Sequence, residues 1–586
     1  MPQSEPASLT SEVDKRHTAD VVENEIRVFE ERVGQVLRGE MTDDQFRPHR
    51  LKHGTYGQRQ PGMQMQRIKI PSGVLDARQL RALGAISDNY ANGVGHLTPR
   101  QNLQFHFSKL ESVPALFREL AAVDLTTREA CGNTVRNVTS CPLAGICSGE
   151  TFDVTPYALG VTRFLLRHPD FHDLPRKFKI ALSGCEDDGN CAVAGIHDVG
   201  LIARVRGSNG TAHQGFKVLV GGGLGALPTE AATLSEFLPV EELLPTIEAV
   251  LRVFSKNGNR KNKMKARMKF VLREHGIAEF KRMVEQERKQ VTTPAAVLTV
   301  ASPLAQPLVN IQTVPPVAPP VSPEYDRWTQ HNVMQQRQRG YGAIWVKLPA
   351  GTITSDQFRG LAGILEKNQL PGVRIAILQN FLIPWIPVEQ VPTIYEQLRG
   401  LDLVTPGART ISDVTGCPGA TTCNLGITRS LTLADVLAKE LANESDPEIL
   451  KLRIKISGCP NSCGQHHIAD IGFYGNARKI GNQQAPFYQM LLGGEVSERG
   501  ARFGKQIIPL AAKQVPHVIR EILGFYRSER HEGENFRQWV ERTPPAEITD
   551  RLKQYAEAAE HSPESFIDWG DTETYSLKLG RGECAS

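Results

Sequence analysis

Several things are missing from this 586-residue sequence, and each absence narrows what it can do. There is no run of about 18 apolar residues, so no membrane-spanning helix is expected. The opening residues, MPQSEPASLTSEVDKRH, show no basic stretch followed by an apolar one. They do not read as a secretory signal, and a cytoplasmic protein is expected. Neither sign of charge is in large excess: 68 Lys and Arg against 64 Asp and Glu leave +4. That alone does not argue for nucleic acid, although it is compatible with an acidic protein partner. No flavin or nicotinamide domain is visible, and VLVGGGLGALP (residues 218–228) lacks the full G-x-G-x-x-G pattern. It reads as a strand-to-loop turn. Ten cysteines without an export signal are read as reduced thiols or metal ligands rather than disulfides. Composition is otherwise that of a globular protein, long enough for several domains at about 100–200 residues each.

Residues 291–323 hold eight prolines and no charged residue. Proline removes donors and blocks regular structure, so this is an extended linker that divides the chain. The halves it separates are related. KFKIALSGC (177–185) aligns without a gap on KLRIKISGC (451–459), and TVRNVTSCPLAGIC (134–147) on TISDVTGCPGATTC (410–423). IKIPSGVLDARQLRAL resembles VKLPAGTITSDQFRGL, RQNLQF pairs with LQNFLI, and KVLVGGG pairs with QMLLGGE. The order is the same in both halves and the offset drifts only from 278 to 272, which identifies an internal duplication.

Within each copy the pattern is mixed α and β. QRIKIP and NLQFHF read as strands, DARQLRALGAISDNYA and LESVPALFRELAAV as helices, and residues 20–38 as a docking helix. The expected organisation is an N-terminal extension (1–60), a first half-domain (61–125) and a first cofactor-binding domain (126–290). The linker (291–323), a second half-domain (324–403), a second cofactor-binding domain (404–525) and a C-terminal extension (526–586) follow.

The cysteines carry the sharpest signal. Cys417 and Cys423 form a C-x5-C pair in TGCPGATTCNLG, and Cys459 and Cys463 a C-x3-C pair in SGCPNSCG. Together they supply the four thiolates of a 4Fe–4S cluster. Zinc is the rival reading: C-x3-C suits it and C-x5-C suits it poorly. The first copy also carries Cys141, Cys147, Cys185 and Cys191. Its second pair is spaced x5, and CEDDGNC places acidic residues where a cluster would repel them, so these are read as buried or loop thiols. Cys131 and Cys584 fit no pattern.

C-x5-C followed by SGCPNSCG, inside a duplicated chain, resembles the sirohaem-containing sulfite and nitrite reductases over roughly residues 45–525. The resemblance implies an α+β fold of two pseudo-symmetric copies, each a ferredoxin-like half-domain plus a larger α/β cofactor-binding domain. It implies a 4Fe–4S cluster on Cys417, Cys423, Cys459 and Cys463, with Cys463 bridging to the sirohaem iron. By the same resemblance Arg67, Arg136, Lys177 and Lys179 bind the substrate anion. Arg100, Gln104 and His106 match positions that contact or support sirohaem, as do Arg176 and Asn461. His96 stands where many relatives have Arg.

The chemistry agrees. An oxyanion and sirohaem carboxylates are both negative, Arg offers a fixed fork of donors, and Lys can also pass protons. Copy one keeps cations that copy two has lost: Arg67 faces Trp345, Arg100 faces Leu378 and Arg136 faces Ser412. Sulfite-reducing relatives tend to have Lys-x-Lys at 177–179 and nitrite-reducing ones Lys-x-Asn. LPRKFKIAL therefore favours six-electron reduction of sulfite to sulfide, with nitrite reduction as the alternative. A non-catalytic sirohaem carrier would need none of these substrate cations.

Electrons must come from outside, and resemblance to the single-chain members implies ferredoxin and a monomer. The run KNGNRKNKMKARMKF (256–270), with seven Lys or Arg, reads as a solvated basic helix face or as a surface for sirohaem carboxylates or an acidic partner. It lacks the aromatic interleaving of nucleic-acid binders. His466 and His467 read as loop histidines rather than ligands.

Overall fold

A computed structural model describes residues 6–186, 191–208, 211–306, 316–497, 500–557, 563–580 and 582. Cys584 lies outside these residues. No described helix is long and apolar enough to cross a membrane.

The duplication is visible first in two small sheets. In copy one, strands Thr55–Gly57, Met63–Ile68, Leu103–Lys109 and Val94–Leu97 pair in that order. In copy two, Val333–Gln335, Tyr341–Val346, Phe381–Pro387 and Val373–Ile375 repeat the arrangement. The helix that crosses each sheet starts at a capping box, Asp76 with Gln79 in one copy and Thr354 with Gln357 in the other. Helix Ala77–Tyr90 buries Leu80, Leu83 and Ile86 on one face, and helix Ser355–Lys367 buries Phe358, Leu361 and Leu365.

Neither sheet is complete alone. The fifth strand of each comes from the other copy: Thr352–Thr354 pairs with Val94–Leu97, Ile353 opposite Gly95, and Val74–Leu75 pairs with Val373–Ile375, Leu75 opposite Val373. The two half-domains accordingly share one core, from Ile68, Leu83 and Phe105 to Ile344, Phe358 and Phe381. Helix Ala19–Leu37 packs Ile26, Phe29 and Val33 onto it, as the sequence predicts.

Each larger domain is built on a five-stranded sheet of one topology. In copy one the order is Ala232–Pro239, Thr211–Val220, Val199–Ser208, Ile180–Ser183, Thr139–Ser140; in copy two it is Lys505–Ala511, Gln483–Leu492, Ile471–Ile480, Ile454–Ser457, Thr415–Gly416. The two joins at the cysteine-bearing edge are parallel and the rest antiparallel.

Two buried glutamines lock the copies together. Gln101 donates to Ile375 O at 2.9 Å and accepts from Ser140 N–H at 2.9 Å; Gln379 donates to Leu97 O at 2.7 Å and accepts from Gly416 N–H at 2.9 Å. Each thus ties the residue before its own copy's C-x5-C pair to the backbone of the other copy. Both adopt left-handed backbone, φ 53° and 67°.

Two expectations change. The basic run is mostly a loop, not a helix face: helix Leu243–Asn257 ends at its second residue and helix Met268–Arg288 begins only at its last three. Gly258 and Asn259–Asn262 end the helical pattern, and Arg267 and Lys269 turn inward. The proline-rich segment has no helix or strand over residues 291–306, but it is no free spacer. Leu304 is buried, its carbonyl accepts from Trp385 Nε1 at 2.8 Å, and Val300 N–H donates to Pro156 O at 3.1 Å.

Replacing Gln379 with Leu leaves a buried carbonyl and a buried N–H without partners. Gln379→Leu is expected to cost about 1–3 kcal/mol in urea denaturation, and Gln101→Leu a similar amount. Unchanged midpoints would show that the strand exchange holds the copies without them.

Candidate active site

Cys417 follows the strand Thr415–Gly416, and Cys459 stands two residues beyond Ile454–Ser457. These strands pair in parallel, so both cysteines leave the sheet at the same end. Backbone packing then closes the loops on each other. A Cβ on Gly458 would lie 2.5 Å from Gly419 Cα, and Gly419 has φ +55°. Neither position accepts a side chain without displacement. Gly458 N–H donates to Cys417 Sγ at 3.2 Å, and the Ser430 hydroxyl lies 3.4 Å from the same sulfur. N–H groups of Leu425 and Gly426 serve Cys423, and that of Asn461 serves Cys459.

The four thiols share one electrostatic environment. Burial first, then Cys463, pushes Cys417 up to about 12, and the same causes raise Cys423 and Cys459. A cationic metal core would ionise such a set together. Among the described residues no three His, Cys, Asp or Glu are gathered to hold a single ion. Zinc draws its thiolates to about 2.3 Å, whereas a four-iron core takes a wider shell. His466 and His467 pin the loop, their Nδ1 atoms meeting the Ser457 and Ser462 hydroxyls at 2.9 and 3.0 Å.

Parts of the chain far away in sequence cover this loop. Arg59 N–H donates to Thr422 O at 2.9 Å, and its guanidinium reaches Gly426 O at 2.5 Å and Lys578 O at 2.9 Å. Gly580 N–H donates to Asn424 O at 2.9 Å, Tyr575 hydroxyl to Ile427 O at 3.0 Å, and Arg429 pairs with Asp571 at 2.8 Å. The C-terminal segment is a strap over the cluster loop.

The cations of copy one form a second group. Arg67 faces Gln104 across the sheet, and with the amide oxygen turned toward it Gln104 accepts from Arg67 Nη2 at 2.5 Å and Nε at 3.2 Å. The Arg67 guanidinium lies 5.7 Å over the Tyr56 ring, and Arg136 donates to the Tyr56 hydroxyl at 3.4 Å. Arg136 is otherwise held by the carbonyls of Ala130 and Gly132 at 2.8–3.1 Å. Arg100 donates to Thr139 Oγ1 at 3.3 Å, to Asn137 O and to His197 Nε2, while His197 Nδ1 meets Val193 O at 2.8 Å. His106 stacks 6.4 Å from His96, and burial lowers them to about 4 and about 3, so both are neutral near pH 7.

Lys179 is half-buried in the segment entering Ile180–Ser183, with Lys177 two residues before it. Burial, then Arg267, Lys177 and Arg100, holds Lys179 well below the usual lysine range; Asp198 opposes them. Asp198 is the anchor. It takes Arg267 on both oxygens at 3.0 and 2.9 Å and accepts the Lys179 N–H at 2.9 Å. Lys269 Nζ donates to Leu224 O at 3.1 Å and to Leu227 O. Its charge is felt by His467, which holds Ser462 beside Cys463. Through His467, Lys269 of copy one thus acts on the C-x3-C loop of copy two. Arg176 lies half-buried beside Lys177, and Asn461 is exposed on the C-x3-C loop.

Tyr56, Arg59 and Asp198 escape the sequence reading, and Arg267 and Lys269 enter it only as part of the basic run. Asp198 had a signal: IHDVG in copy one recurs as IADIG in copy two, and Asp470 accepts Arg453 N–H at 2.7 Å in the same way.

Two family models each match twice: the nitrite and sulphite reductase 4Fe-4S domain over residues 131–292 and 407–559, and the nitrite/sulfite reductase ferredoxin-like half domain over 56–123 and 334–401. The chain belongs to the nitrite and sulfite reductase family. It is similar to a sulfite reductase (ferredoxin) of Mycobacterium tuberculosis, 31% identical over 484 residues and 81% of each chain. It is also similar to a ferredoxin–nitrite reductase of Synechococcus elongatus, 30% identical over 498 residues, 83% of this chain and 90% of that one. The solved structure of the Mycobacterium tuberculosis NirA protein matches with TM-score 0.75 at 28% identity, covering 88% of this chain and 94% of that one.

The protein is an oxidoreductase whose cofactors are sirohaem and a 4Fe–4S cluster. The residues fit both. Sulfurs with N–H donors suit the cluster, and a crowd of cations around one shared carboxylate suits a group that brings carboxylates of its own.

Truncation before Ile567 removes Asp568, Asp571, Tyr575 and the Lys578 carbonyl from the cluster loop. The truncated holoenzyme is expected to lose its cluster several-fold faster in air, followed by visible absorbance. An unchanged bleaching rate would show that the strap does not shield the loop.

Proposed function

We propose that this chain reduces sulfite to sulfide by six electrons taken from an external ferredoxin-like donor, acting as a cytoplasmic monomer. The observation that carries the choice of sulfite is Lys179 beside Lys177 in a site already crowded by Arg67, Arg100, Arg136 and Arg267. A second lysine suits the more highly charged sulfite better than nitrite. The mycobacterial relatives named as sulfite reductases support the same choice.

When bound, sirohaem and the cluster would relay the donor's electrons to the substrate. Cys417, Cys423, Cys459 and Cys463 would hold the cluster, with Cys463 at the sirohaem side. Arg100, Gln104, His106, Arg176 and Asn461 would hold or orient the tetrapyrrole. Arg67 and Arg136, spaced by Tyr56, present guanidinium N–H groups to substrate oxygens. Lys177 and Lys179 complete the charge. Lys179 Nζ, depressed by its neighbours, gives up a proton more readily than a solvated lysine, as an oxygen leaving as water requires.

Nitrite reduction is the second reading, favoured by the similarity to the Synechococcus elongatus enzyme. Steady-state kcat/KM for both anions, on one sirohaem-replete preparation with a reduced dye, separates the two. A preference for sulfite is expected, and a preference for nitrite would overturn the reading. Lys179→Asn should move the sulfite-to-nitrite ratio toward nitrite by about tenfold or more, since a unit charge near 4 Å is worth several kcal/mol at intermediate dielectric. An unchanged ratio would remove Lys179 from specificity.

For the donor, the exposed Arg260, Lys261 and Lys265 make the loop before helix Met268–Arg288 basic. Arg267 takes no part, because it is buried on Asp198. Lys261→Glu with Lys265→Glu should raise KM for ferredoxin several-fold and leave dye-driven turnover intact. An unchanged ferredoxin KM would place the dock elsewhere.

A further inference from the structure

The four cysteines of copy one are not scattered thiols. Cys141 follows its strand as Cys417 does, and Cys185 stands two residues beyond Ile180–Ser183 as Cys459 does beyond its own strand. The four thiols meet in pairs across the two loops. Cys147 and Cys185 have sulfurs 4.0 Å apart, and the Cys141 thiol is hydrogen-bonded to that of Cys191. Cys141 also feels Cys185, and Cys185 feels Cys191, so the pairs form one group. Thiols that merely fill space have no reason to assemble four at a time from two loops.

The grip on this loop repeats the grip on the cluster loop. Over Cys417–Cys423, Arg59 N–H donates to Thr422 O at 2.9 Å and Gln60 Nε2 to Thr421 O at 2.8 Å. Over Cys141–Cys147, Arg337 N–H donates to Ile146 O at 2.9 Å and Gln338 Nε2 to Gly145 O at 2.8 Å. Arg337 and Gln338 are the duplicates of Arg59 and Gln60, one offset of 278 apart. The sulfur environment repeats too: the Gly149 N–H serves Cys147 as the Leu425 N–H serves Cys423.

Cations complete the match. Arg374 is buried against this loop, donating to Pro142 O at 3.1 Å and Ala144 O at 2.5 Å, and its Nε has no partner. Arg337, which pairs with Glu150 at 2.9 Å, and Arg409 both act on Cys147. A core held by four thiolates is net anionic, and guanidiniums on this side offset the acidic sequence that argues against it. Cys141 and Cys185 are buried and Cys147 and Cys191 half-buried on their loops, as buried or loop thiols would be, but they are gathered rather than scattered.

We propose that Cys141, Cys147, Cys185 and Cys191 ligate a second iron–sulfur cluster, related to the first by the internal duplication. This site goes beyond the sulfite-reducing reading and does not depend on it. It would give the chain a further one-electron store.

The test is elemental. Iron and acid-labile sulfide are measured per sirohaem in the anaerobically purified holoenzyme. One 4Fe–4S cluster plus the haem iron gives about five iron and four sulfide per chain; a second core of two irons raises this to about seven and six, and one of four irons to about nine and eight. The close sulfur pairs match two thiolates per iron, so about seven and six are expected, with nine and eight also sustaining a second cluster, and either falls to about five and four in the Cys147→Ser, Cys185→Ser double variant with sirohaem absorbance kept. A wild-type content of five and four overturns the proposal, as does one zinc per chain in place of the extra iron, or a double variant whose iron does not fall. The wild-type count decides even where the double variant does not fold. Sulfite and nitrite turnover are read separately, so a wrong substrate assignment leaves this result untouched.

Discussion

The structure depends on the exchange between its two copies. Each half-domain sheet lacks its fifth strand until the other copy supplies it, and Gln101 and Gln379 fix that exchange from inside the core. Each glutamine also holds the residue before a cysteine, Ser140 in one copy and Gly416 in the other. The cysteine loops are therefore placed by contacts that span the duplication. The positive φ of both glutamines is strain that persists because four buried hydrogen bonds determine it.

Electrostatics then separates the copies. Asp198 and Asp470 occupy equivalent places and each accepts the backbone N–H of the basic residue at the head of its strand, Lys179 or Arg453. In copy one Asp198 is bound by Arg267, and the surplus positive charge of Lys177, Lys179 and Arg100 lies beside it. A buried crowd of like charges is unfavourable without anions. The cost is tolerated because the family's prosthetic group and its substrate are both anionic. In copy two Trp345, Leu378 and Ser412 replace Arg67, Arg100 and Arg136. Divergence after duplication thus left these cations on one side.

The duplication, the four cluster cysteines and the alternation of strand and helix were legible because each rests on local spacing, which chain connectivity preserves. The basic run was not: its charges are alike in sequence, yet Lys261 and Lys265 face solvent while Arg267 and Lys269 are buried. The difference is made by Asp198, some 69 residues away from Arg267. Tyr56 gave no signal because its role is to separate two arginines that only folding brings near. The C-terminal segment read only as an extension, since most of its contacts to the cluster loop run through backbone groups, which have no residue identity to match.

The sequence by itself determined the family, the mixed α and β class and the repeat, and it singled out the four candidate cluster ligands, because periodicity and ligand spacing are properties of the chain. Only the tertiary structure decided which copy completes which sheet, which lysines and arginines turn inward, and what covers the cluster loop. It also decided that Cys141, Cys147, Cys185 and Cys191 stand together. Those outcomes depend on groups tens to hundreds of residues apart, whose proximity is settled by strand pairing and burial rather than by any local pattern.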